Sequence, residues 1–185
     1  MIGELIMPAL AVGVGGVYWA HARGAGVSRL PLHVLAGAMV GYAFVALSMH
    51  GLGWGAAWRV GLACAWLALG WVDYARRTVH DWAILPLGAF AALSLPLRGG
   101  DGMVLALGVM VALASALVLR WSRGGVGLGD VIALPIAVLS LGDMQRVPVL
   151  IAALLVAEVW ARADRERSAP LLAPLGVAVA LGVLM

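Results

Sequence analysis

The sequence contains no lysine, and all twelve of its basic residues are arginine. It has a single cysteine, Cys64, which excludes a disulfide framework or a cysteine-based zinc site within one chain. Charged residues make up only 11% of the chain, where soluble domains of this size carry roughly 25%, so water is not the expected main solvent. The arginines are dispersed rather than clustered, which argues against a nucleic-acid surface. His21, His33, His50 and His80 are scattered, and there is no spaced His or Cys pair to suggest a metal centre. No serine lies in a nucleophile elbow. No metal or cofactor is expected.

What the chain has in quantity is apolar sequence. Hydrophobic residues account for 64% of its 185 positions, and the mean hydropathy is +1.04. Apolar segments of about 16–20 residues separated by short polar knots predict an all-α fold, a polytopic integral membrane bundle. Eight spans are expected, at about 2–20, 31–50, 54–72, 82–97, 103–120, 129–142, 147–161 and 170–185, forming one domain over 1–185. The opening MIGELIMPAL has an acid and no basic region, so it reads as a first membrane helix and not as a cleaved signal.

The polar knots alternate in charge. Arg23, Arg29, Arg76, Arg77, Arg120, Arg123, Arg162, Arg165 and Arg167 fall on one side, and Arg59, Arg98 and Arg146 on the other. The positive-inside rule puts the richer side in the cytoplasm and both termini on the opposite side of the membrane. Trp19, Trp71, Trp82, Trp121 and Trp160 fall near the inner ends of spans, as an interfacial aromatic belt would. The GxxxG spacings Gly37/Gly41 and Gly51/Gly55 read as sites of close helix packing.

Acids at membrane depth are costly unless paired or hydrated, so each is a candidate for function. Asp164 and Glu166 sit among arginines, Asp101 and Asp143 lie in outer turns, Glu4 is near the outer surface, and Glu158 stands one helical turn before Arg162. Asp73, Asp81 and Asp130 remain. Their plain readings are an interfacial acid facing Arg76 or Arg77 for Asp73, and helix caps for Asp81 and Asp130. Around Asp130 the stretch GGVGLGDVIALP changes the balance, because Gly127 and Gly129 permit close backbone approach by an extended peptide.

GLGD, Gly127–Asp130, resembles the GxGD signature of membrane aspartyl proteases, the group that includes prepilin peptidases, preflagellin peptidases and presenilins. The pattern Asp73, Arg76, Arg77, Val79, His80, Asp81, Trp82 and Pro86 is similar to the first aspartate motif of the type IV prepilin peptidases, with His80 where proline is usual. SAPLLAPLGVAVALG looks like that family's Pro-rich apolar close. The likeness covers about residues 54–185. One departure is Ile132, two residues after the GxGD aspartate, where the family usually has lysine.

The resemblance implies a short, peptidase-only form, without the N-terminal cysteine domain that larger members use for N-methylation. Asp73 and Asp130 would be the catalytic pair, and Gly127, Gly129, His80 and Asp81 the candidates to touch substrate. The substrate would be a prepilin or pseudopilin with a basic leader, cut at the cytoplasmic face of the bilayer. Two readings from other classes compete: a small proton-coupled transporter using the same two acids, and a non-catalytic membrane scaffold.

Overall fold

The computed structural model describes residues 32–51, 54–76, 79, 81–95, 101–123, 128–142, 145–163 and 171–184. Among them are seven helices and no strand: α1 (Leu32–His50), α2 (Trp54–Arg76), α3 (Asp81–Leu93), α4 (Gly102–Arg123), α5 (Leu128–Ser140), α6 (Arg146–Ala163) and α7 (Leu172–Leu184). The expected all-α class holds. Each helix coincides with one of the last seven apolar segments, and the expected span at 2–20 lies outside the described residues.

Local chemistry explains several ends. Gly51 follows α1 with φ +70° and donates its N–H to the Leu47 carbonyl at 2.9 Å, a left-handed helix stop that glycine adopts without a Cβ clash. Asp101 opens α4 by accepting the Met103 N–H on Oδ1 at 2.8 Å. α2 runs four residues past the expected 72, so Asp73 lies inside a helix and not after one. The residues that follow, Tyr74, Ala75 and Arg76, contain no breaker to stop it.

α2 is the axis of the bundle. Leu62, Trp66 and Leu69 are fully buried along it. α7 packs on α2 more extensively than any other described pair, and it runs antiparallel. Asp73 meets Ala173 at one end of the pair, and the Arg59 side chain meets Val183 at the other. Glycine makes this approach possible: a Cβ at Gly176 would lie 2.5 Å from the Trp66 carbonyl oxygen, and one at Gly70 would lie 3.0 Å from that of Leu172. The close-packing glycines are therefore Gly70 and Gly176. Gly37 and Gly41 are exposed, and a Cβ at either would meet nothing within 4 Å, so their expected packing role is corrected.

α1 and α6 flank this pair, and α3 and α4 pack on α5. α5 is tied to α2 by a buried bond from Trp66 Nε1 to Ser140 Oγ at 3.0 Å, and the same hydroxyl donates to the Ile136 carbonyl at 2.8 Å. Apolar side chains also cover the outside: Phe44, Met103, Met110, Val118, Trp121 and Val159 are all largely exposed. Among the described residues no helix is long and apolar enough to cross a membrane.

Replacing Ser140 with alanine leaves the buried Trp66 N–H without its acceptor, at a cost of about 1–3 kcal/mol. Chemical unfolding in mild detergent should show this loss. A double-mutant cycle with Trp66→Phe should return a favourable coupling of at least about 0.5 kcal/mol; strict additivity would show that the bond contributes nothing.

Candidate active site

Asp73 occupies the last turn of α2 and is only 6% exposed. Its Oδ2 accepts the backbone N–H of Ala173 at 3.2 Å, in a buried setting. The first amides of a helix have no partner within it, and the positive end of the helix dipole favours a negative group. Leu175 N–H bonds the Leu171 carbonyl, which makes Leu171 the residue that opens α7, and its aliphatic side chain cannot cap. Asp73 supplies from α2 the oxygen that a Ser, Thr or Asp at that position would normally provide. Pro174 falls in the same first turn, where its missing N–H costs no helical bond.

Asp130 is the third residue of α5 and is half-buried. Its plain reading as the cap of a helix starting at Val131 is corrected, because the helix already begins at Leu128. An acid in the first turn still complements the helix dipole. Val131, Ala133 and Leu134, just beyond it, are buried in the main core.

Two contacts and the chain order fix the end of the bundle at which Asp130 lies. The Leu141 side chain, just past α5, approaches Gly182 near the far end of α7, remote from Ala173. Ile136, in the middle of α5, approaches Gly88, in the middle of α3. α3 itself starts just after α2 ends, on the Asp73 side. The N-terminus of α5 therefore points to the end that holds Asp73. From Leu141 back to Asp130 is about 16 Å of helix, and from Gly182 back to Ala173 about 13 Å. The two acids thus lie at the same end of the bundle, on helices joined by the Trp66–Ser140 bond.

The remaining candidates divide. Gly129 is half-buried in the first turn of α5, beside Asp130. Asp81 is the first residue of α3, at the same end. Gly127 and His80 lie outside the described residues. Val79 packs against Val72 and the main core, which draws the start of α3 toward the last turn of α2. Ile132 is half-buried and packs on the main core, so the position where a lysine was looked for is an apolar contact.

Two features were missed in the sequence. One is the backbone N–H of Ala173, for which the proline at Pro174 was a signal, since proline favours a helix's first turn. The other is a cavity of about 580 Å³ beside Asp73, between α1, α2, α6 and α7. Gly70, Trp71, Tyr74, Ala173 and Pro174 line its side nearest the carboxylate, and its walls are almost wholly apolar. Apolar runs on four helices do not reveal which faces leave a gap. Among the described residues no group of three or more His, Cys, Asp or Glu could hold a metal ion. No known protein family, characterised protein or solved structure matches the chain.

The shared end is testable by cross-linking. In a Cys64→Ser background, Asp73→Cys with Asp130→Cys should be joined by a bifunctional thiol reagent about 10 Å long, the spacing of neighbouring helices. Asp73→Cys with Leu141→Cys should not be. The reverse pattern would contradict the arrangement.

Proposed function

We propose that this chain is a membrane aspartyl endopeptidase of the prepilin-peptidase type, with Asp73 and Asp130 as its catalytic pair. The observation that supports this is that the two motif aspartates, 57 residues apart in sequence, lie on helix ends at the same end of the bundle. The substrate is a prepilin-like protein with a short basic leader, and the cut falls near the cytoplasmic surface of a bacterial inner membrane.

Membrane embedding is supported by the outer surface. α4 exposes Met103, Leu107, Met110, Val111, Leu117 and Val118, and α6 exposes Val147, Ile151, Leu155 and Val159. Apolar continuous patches of this kind are not kept against water without a partner, and a helix apolar on all sides suits an apolar solvent. Residues 102–119 carry no acid or base, and neither do residues 34–49. The arginine bias puts the end with Asp73 and Asp130 on the cytoplasmic side.

The chemistry needs only the two carboxyls. Neighbouring like charges leave one carboxyl protonated while the other is ionised. The ionised group takes a proton from water as its oxygen attacks the scissile carbonyl carbon, and the protonated group gives its proton to the carbonyl oxygen. Collapse of the tetrahedral intermediate then breaks the C–N bond, with a proton passing to the departing amine. The pair acts as a unit, so its two titrations belong to neither aspartate alone. A substrate helix has to unwind locally before its amide can reach the pair.

The Ala173–Asp73 bond favours a second reading, a scaffold in which Asp73 only fastens α7 to α2. Single substitutions separate the two. Asp73→Asn and Asp130→Asn should each lower cleavage of a co-expressed prepilin reporter by at least about 10³-fold at unchanged membrane abundance. Normal cleavage by both variants would leave the scaffold.

A further inference from the structure

We infer that the first turn of α7 is a positioning element of the peptidase site, acting through the backbone N–H of Ala173 on the carboxyl group of Asp73. This rests on the peptidase reading above and adds to it a group from a third helix, outside both aspartate motifs.

The carboxylate is 6% exposed and one of its oxygens, Oδ2, accepts the Ala173 N–H at 3.2 Å. A hydrogen bond at one oxygen restrains the side chain's otherwise broad terminal torsion, and with it the direction of the other oxygen. The donor is itself held rigidly. Leu171, Leu172 and Leu175 are buried on the core side of the turn. Gly70 and Gly176 set α7 against α2 at backbone contact, where a Cβ at Gly176 would come 2.5 Å from the Trp66 carbonyl oxygen. Pro174 has no N–H, so Ala173 is the natural amide in this turn to meet the acid. The other side of the turn, Ala173 and Pro174, forms a wall of the apolar cavity. An occupant of that cavity would press on the segment that aims Asp73.

A carboxylate in a catalytic pair has to be aimed closely, and a displacement of about 1 Å costs on the order of 10²-fold in rate. Ala173→Pro removes the N–H within the first helical turn, where proline is tolerated, and Ala173→Ser keeps it. The substrate is a synthetic peptide with a lysine–arginine leader, a glycine and then about 20 apolar residues, in detergent micelles. Ala173→Pro should lower kcat about 10–100-fold with KM within about twofold of wild type, and Ala173→Ser should stay within about twofold in both. If Ala173→Pro does not fold, Gly176→Ala serves, since it retains the N–H but drives α7 away from α2. It should show the same selective fall in kcat.

Wild-type kcat in the folded Ala173→Pro variant, or in Gly176→Ala, would overturn the inference while leaving the peptidase reading intact, provided Asp73→Asn is inactive. Equal losses in Ala173→Ser and Ala173→Pro would also overturn it, because the side chain and not the N–H would then matter. Absence of cleavage by the wild-type chain, or full cleavage by Asp73→Asn, would remove both.

Discussion

Two hydrogen bonds from α2 hold α7 in place, and the rest of the arrangement depends on them. At one end Asp73 accepts from Ala173 N–H, and at the other Arg59 Nε donates to the Val183 carbonyl at 2.9 Å. Each satisfies a backbone group that a helix end leaves without a partner, and each charge has the sign that the dipole at that end favours. Arg59 also lies over the Trp58 ring, 4.8 Å from its centroid. The two residues are about 21 Å apart along α2, so they bracket α7, and Gly70 and Gly176 let the two backbones close between them.

α5 is treated in a similar way. Arg146 Nε donates to the Val138 carbonyl at 3.2 Å, near the C-terminus of α5, while Asp130 stands in its first turn. Acids thus gather at the N-terminal ends of α5 and α7, and arginines at their C-terminal ends. Since α5 and α7 rise from the same end of the bundle, their acids share it. The interior between is apolar apart from a few buried hydroxyl and indole groups, such as the Trp66–Ser140 pair. The placing of both acids at one end of the bundle therefore follows from how the helix ends are satisfied.

Much of this was legible in the sequence. Apolar runs broken by arginine and glycine knots gave α1 to α7 nearly their full extents, because burial and helix length act on whole segments. Gly51 and Asp101 mark a stop and a start through local chemistry alone. What was not legible depends on partners far along the chain. Arg59 and Arg146 read as topology determinants, but each is also bonded to a helix carbonyl, and nothing nearby in sequence announces Val183 or Val138. Neither the plain reading of Asp73 as an interfacial acid nor its catalytic reading announced that it lies buried against an amide 100 residues away. GxxxG spacing pointed to Gly37 and Gly41, but spacing does not say which side of a helix has a neighbour. Gly70 and Gly176 belong to different helices and share no motif.

The central claim is that Asp73 and Asp130 act on one substrate as one unit. Its most direct test is the affinity of a prepilin-like peptide in which a hydroxyethylene group, a mimic of the tetrahedral intermediate, replaces the scissile amide. Wild type should bind it at least about 10²-fold more tightly than the parent amide. Asp73→Asn and Asp130→Asn should each abolish that advantage, and the double variant should lose no more than either single one. Equal affinity for mimic and amide in all four proteins, or strictly additive losses, would contradict the account.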